Sequence, residues 1–152
     1  MRIHVSATRG DIEGVKKELA RSVSVDVLDE DEGYTPLMCA AMSSQAGTDM
    51  IQFLIEKGAD VNSFGGSHYT PSVLTLAART GNLDKVLILL NAGAKVAYPE
   101  GKKDDVLWAT VRGNACLKEE DLCVVLRLLM DHGARLQGEN EHGESAPNTA
   151  SR

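Results

Sequence analysis

The chain has 152 residues, a net charge of −6 and three cysteines. That is one domain's worth of chain, and its acidic balance does not suit a general nucleic-acid or anionic-membrane binder, which works by neutralising phosphates with a basic surface. Cys39, Cys116 and Cys123 are odd in number and lack a secreted-scaffold spacing, so they read as reduced thiols, and no apolar run reaches membrane-spanning length.

Residues 3–27 read as a degenerate opening helix pair. Ala7, Gly10, Asp11, Glu13, Val15 and Leu19 fit a pattern that is clearer downstream, and Lys16, Lys17, Glu18 and Arg21 supply a wet face. Ser22 stands where later units have Gly, which predicts a wider or less ordered exit from that helix. Next come four consecutive carboxylates, Asp29-Glu30-Asp31-Glu32, before Gly33. Calcium ligands normally alternate along a loop with a glycine at the sharp turn, so this run reads as a solvated acidic loop.

Gly33 to Asn62 is the clearest unit. Thr35-Pro36 starts a helix: Thr offers a side-chain acceptor to free N–H groups, and Pro fits the first helical position. Leu37, Ala40 and Ala41 fall on one face of it, and Cys39 between them reads as a small packing residue. Between Ala41 and Asp49 the turn is two residues longer than the pattern elsewhere. Asp49 then opens a second helix with Met50, Ile51, Phe53, Leu54 and Ile55 on its apolar side, and Gly58 ends it. Asn62 reads as a turn residue that holds its loop by side-chain bonds.

The same order returns as Thr70-Pro71, Leu74, Ala77-Ala78, Gly81, Asp84, Val86, Ile88-Leu89-Leu90 and Gly93-Ala94. Two extra residues follow Thr70-Pro71, so either the helix starts half a turn early or Ser72 is the cap. The order returns once more, eroded, as Val106, Ala109, Gly113, Val125, Leu128-Leu129 and Gly133-Ala134. Asp104-Asp105 is the expected cap there, and Trp108 reads as core. Lys118-Glu119-Glu120-Asp121 suits an acidic first turn and predicts a longer last helix. From Gln137 the chain is polar and aperiodic, as expected of a disordered tail over 137–152.

Gly58 to Gly93 is 35 positions and Gly93 to Gly133 is 40, near the ~33-residue period of a helical repeat. TPLMCAA followed by LIEKGADVN resembles the ankyrin repeat, whose usual form is TPLHxAAxxG, a leucine-rich second helix and GADVN. Met38 departs from the usual His, which predicts a weaker cap. The resemblance covers roughly residues 3 to 136. It implies an all-α solenoid of stacked helix-turn-helix pairs with hairpin-like fingers, spanning 1–136 with approximate repeats 1–29, 30–64, 65–97 and 98–136.

The resemblance also implies a non-catalytic protein-protein interaction module whose partner lies on a concave face made by the fingers and inner helices. Carried over position by position, the partner-binding candidates are Arg9, Asp31, Glu32, Tyr34, Met42, Ser67, Tyr69, Arg79, Thr80 and Arg112, with Thr8, Ser43 and Val111 beside them. Tyr34 and Tyr69 each precede Thr-Pro, and Tyr buries a large area with few rotamers to freeze. Arg9, Arg79 and Arg112 end inner helices, where a cation complements the helix dipole and, if aligned, presents guanidinium groups to one groove.

The four histidines are scattered, no CxxC or HExxH spacing occurs, and Gly65-Gly66 lacks the lysine and helix start of a phosphate loop, so no enzyme chemistry, metal or cofactor is read. A protein partner, no nucleic acid, no membrane, a monomer and a cytoplasmic location are expected. Self-association, export as an effector, an inhibitor or immunity protein masking an enzyme, and an adaptor working through its tail stay open at this level.

Overall fold

The computed structural model describes residues 2–65, 71–96, 106–113 and 119–134. Among the described residues are eight α-helices: α1 Arg2–Arg9, α2 Ile12–Ala20, α3 Pro36–Met42, α4 Thr48–Glu56, α5 Val73–Arg79, α6 Leu83–Asn91, α7 Val106–Gly113 and α8 Glu119–Asp131. They form four pairs in two layers. The inner helices α1, α3, α5 and α7 pack each on the next, and in the outer layer α4 packs on α6 and α6 on α8. This is the all-α solenoid that the sequence resemblance implies.

The cause is local. Each inner helix carries alanine where it meets its neighbours, and Ala7, Ala40, Ala41, Ala77 and Ala78 are all fully buried. Small side chains let the backbones approach closely at crystal-like packing density. The outer helices close the core with longer residues: Val15, then Met50, Ile51 and Leu54, then Val86 and Leu89, then Val125 and Leu129. Helices of seven to nine residues are too short to persist alone, so neighbour packing stabilises them. The last outer helix is the longest at 13 residues and opens on Glu119, Glu120 and Asp121, as its acidic start predicts.

Thr35 caps α3, accepting from the Met38 amide at 3.3 Å with Pro36 next. For α5, the ambiguity after Thr70-Pro71 resolves to Ser72, whose hydroxyl oxygen accepts from Thr75 N at 3.1 Å. In α4 the helix starts one residue ahead of Asp49, at Thr48, and its N-cap Gly47 makes no side-chain cap bond. Asp104-Asp105 lies outside the described residues.

Two expectations are corrected. Ser22 does not widen the exit of α2: it adopts the left-handed conformation itself, with φ 64°, beside 87° at Gly58, 90° at Gly93 and 94° at Gly133. The packing of the first pair imposes the same turn on a residue that disfavours it. Asn62 does not hold its own turn by its side chain but reaches the next pair. Its Oδ1 accepts from Lys95 N at 2.9 Å and its Nδ2 donates to Gly93 O at 3.3 Å. Asp26, 36 positions earlier (62 − 26), does the accepting half of this job, taking the Asp60 amide at 3.1 Å. Side-chain acceptors thus tie the first unit to the second and the second to the third.

Candidate functional site

The site is built on the fingers and on the C-terminal ends of α1, α3 and α5. The first finger closes through Asp29 N, which donates to Tyr34 O at 2.9 Å. Its turn is organised by the Asp29 carboxylate: Oδ1 accepts from Glu32 N at 2.9 Å, Gly33 N at 2.7 Å and Tyr34 N at 3.2 Å. Partial burial pushes this carboxyl's pKa up, but the amides of Glu32, Tyr34 and Gly33 together outweigh it and hold it below the usual 3.8. Of the four carboxylates, then, Asp29 is internally engaged, whereas Asp31 and Glu32 are exposed at the finger. His4 anchors the base of the finger from α1, its Nε2 lying 2.9 Å from Val27 O.

The second finger leans on the first. Phe64 and Ser72 form an antiparallel bridge, and Gly65 is buried against Gly33 and Tyr34. A methyl carbon on Gly65 would come within 2.5 Å of Gly33 O and 2.7 Å of the Tyr34 ring, so only glycine permits this approach. Tyr34 is thereby seated rather than loose. Burial raises its hydroxyl pKa above 10.0, the Glu32 charge adds to this and the Arg79 charge opposes it. Tyr34, Glu32 and Arg79 therefore share one electrostatic neighbourhood.

Beside them is a pocket of about 400 Å³ lined by Thr8, Cys39, Met42, Ser43, Ser44 and Gln45. Met42 is 46% exposed and Cys39 only 8%. Burial, with the Asp29 charge second, pushes the Cys39 thiol up to about 11, so at neutral pH it is an uncharged, packed thiol rather than a nucleophile. No side chain in the pocket wall carries a formal charge. The wall suits an apolar group with polar atoms at its edge.

The structure separates other residues that the sequence groups together. Arg9 directly precedes the left-handed Gly10, whereas Arg79 stands two places before the left-handed Gly81. One residue is about 100° around a helix, so Arg9 and Arg79 are not in register, and the aligned arginine ladder is corrected. The Arg112 guanidinium lies 4.6 Å from the centre of the Trp108 ring, a cation–π contact within α7. Trp108 is half-buried. Thr80 turns its hydroxyl onto Ala77 O at 2.7 Å and accepts from Asn82 N at 3.3 Å, which closes the turn after α5. Ser67, Tyr69, Cys116 and the tail lie outside the described residues.

One residue central to this region has no sequence signal as a site residue. Lys85 on α6 is 1% exposed, and its Nζ donates to Ala40 O at 2.9 Å and Ser43 O at 2.5 Å. Burial without a carboxylate partner lowers its pKa below 10.5. The available hint is register: eight places before its left-handed turn residue, Lys85 occupies the position of Met50, a core residue.

Among the described residues no helix is long and apolar enough to cross a membrane, and no group of three His, Cys, Asp or Glu side chains is arranged to hold a metal ion. A family model for ankyrin repeats (3 copies) matches residues 3–100. The chain is 33% identical over 92 residues to the probable E3 ubiquitin-protein ligase XBOS34 of Oryza sativa subsp. japonica, covering 60% of this chain and 18% of that protein. It is 44% identical over 57 residues to the palmitoyltransferase akr1 of Neurospora crassa, covering 38% of this chain and 8% of that one. Over 110 residues it is 27% identical to the transient receptor potential cation channel subfamily A member 1 of Drosophila melanogaster, covering 69% and 9%. The chain thus spans less than a fifth of the length of each of these relatives. With a match across nearly two thirds of its length and stacked helical pairs throughout the described residues, the chain belongs to the ankyrin-repeat family.

Proposed function

We propose that this chain is a non-catalytic protein-binding module that holds a protein partner on its finger and inner-helix face. The observation that carries the reading is the uncharged pocket between α1 and α3, with the half-exposed Met42 on its wall and the seated Tyr34 and Arg79 in the same part of the face. Interfaces of this kind place rigid aromatic and arginine anchors around a desolvated centre and leave charges at the rim. Asp31, Glu32 and Arg9 are the rim here, of mixed sign, so the partner is one with a neutral apolar anchor flanked by charges of both signs. Two relatives carry enzyme names and one a channel name; binding is what these different proteins can share through a segment of this size, and binding is what we carry over.

The test uses the purified protein as bait for a partner from its source cells, followed by titration of that partner against variants checked to be folded. Met42→Asp and a Tyr34→Ala, Arg79→Ala double variant should each weaken binding by at least about tenfold, or ~1.4 kcal/mol. Gln52→Ala, exposed on the outer layer, should leave it unchanged. Loss at Gln52 with full binding by the other two would move the interface to the opposite side of the stack.

A further inference from the structure

The outer helices are in register when counted back from the left-handed residues that end them. Eight places before Ser22, Gly58, Gly93 and Gly133 stand Gly14, Met50, Lys85 and Val125. Met50 and Val125 are buried core residues, so α6 carries a lysine at a core position. A charged group buried among apolar neighbours is costly, and methionine fills the same place one pair earlier. The lysine therefore has work that a methionine cannot do.

That work is at the end of α3. The last carbonyls of a helix have no partner inside it and carry the negative end of its dipole. Lys85 Nζ reaches two of the carbonyls there, Ala40 O and Ser43 O. Ser43 is the C-cap of α3 in extended conformation, the point where the chain leaves the helix for the lengthened turn. From Ala41 to Asp49 is eight positions, against six from Ala78 to Asp84. A longer turn needs extra anchoring, and Ser43 supplies the rest of it. Its hydroxyl donates to Thr8 O at 2.6 Å and accepts from Gln45 N at 3.0 Å and Ala46 N at 3.3 Å. One hydrogen-bonded path therefore runs from α1 through Ser43 to α6, and Ser43 is held from both sides.

We infer that Lys85 is a positioning residue: from the outer layer of the third pair it clamps the Ser43–Gly47 turn of the second, and so sets the shape of the pocket walled by Thr8, Cys39, Met42 and Gln45. It touches no partner itself. The geometry stands on the bonds named above, whereas its consequence for recognition rests on the proposed binding face.

Cys39 in the pocket wall is the reporter. In a Cys116→Ser, Cys123→Ser background it is the remaining thiol, and its alkylation by iodoacetamide in native buffer reads how often the turn opens. Lys85→Met should raise that rate about tenfold and speed exchange of the Gln45 and Ala46 amides, with the Leu54 and Leu89 amides unchanged, as expected of a local opening. An unchanged alkylation rate overturns the clamp. So does a rise matched at Leu54 and Leu89, which would make Lys85 a contributor to global stability alone. Should Lys85→Met fail to fold, the wild-type protein decides: the Lys85 ammonium should give a slowly exchanging nitrogen signal coupled across hydrogen bonds to the Ala40 and Ser43 carbonyl carbons, and its absence refutes the bonds. Capture of the partner separates the two readings. Faster alkylation with undiminished binding leaves the clamp standing and removes the pocket from the interface; slower capture together with faster alkylation supports both.

Discussion

Single side chains in this protein do work that their types alone do not announce. Asp29 sits in a run of four carboxylates yet folds the finger by collecting three amides on one oxygen. Its pKa is depressed in the folded state, so its contribution to stability is complete above the unfolded value of 3.8 and is lost as pH falls through the folded value. Urea unfolding between pH 7 and pH 2 should show this as an acid-side loss that Asp29→Asn, which keeps an acceptor but cannot titrate, lacks. Lys85 has the same direction of shift with a different consequence. Its folded pKa lies below 10.5, so between the two values the unfolded chain binds the extra proton and stability rises with pH. Lys85→Met should flatten that alkaline rise in the same assay. Gly65 has no side chain, and that absence is its function: Gly65→Ala should drive the second finger off Gly33 and Tyr34 and cost about 1–3 kcal/mol, as overpacking does. A shift of the urea midpoint close to zero would mean the fingers part without penalty.

At the level of helices, packing of each on the next outweighs intrinsic preference. Ser22 shows this most directly, because a serine is held in a conformation that costs a non-glycine residue ~1 kcal/mol or more. Ser22→Gly should recover part of that, a gain of a few tenths to about 1 kcal/mol once glycine's greater unfolded-state entropy is subtracted. Leu89, fully buried in α6, is the opposite case, and Leu89→Ala should cost about 2–5 kcal/mol in urea unfolding. The helices themselves were legible because capping residues, alanine pairs and closing glycines each have one strong conformational reading: Thr35, Ser72, Ala77-Ala78 and Gly58 all act in the structure as such residues do. What was not legible depended on contacts between pairs. Asn62 looked like a turn residue because its bond crosses to Lys95, 33 positions away, and Lys85 gave no signal because its carbonyl partners lie 42 and 45 positions earlier. The arginine register failed for a smaller reason, a single residue, Thr80, between Arg79 and its closing glycine. Of the candidate face, Tyr34 and Met42 were visible in the repeat pattern, but the pocket beside Met42 needed the lengthened turn to be seen in three dimensions.

Across the whole stack, stability is a chain of neighbour terms, and those terms are unequal. The first pair is tied to the second by Asp26 and the second to the third by Asn62. In the third unit the matching residue is Ala97, which has no side-chain acceptor to offer the fourth. Amide exchange should therefore be fastest in α7 and α8 and slowest in α3 to α6, and an Asn62→Ala change should cost about 1 kcal/mol and loosen α5 to α8 together. Equal protection across all four pairs would remove this ordering. The missing tie has a mechanical meaning as well. Pulled between its two ends, a linear array yields wherever its neighbour contact is weakest, and if the side-chain ties decide the order, that is the joint before α7. The first extension event on stretching should release the last pair while the finger face on α1, α3 and α5 stays assembled, so that a load applied through the C-terminal side is absorbed before it reaches the surface that grips a partner.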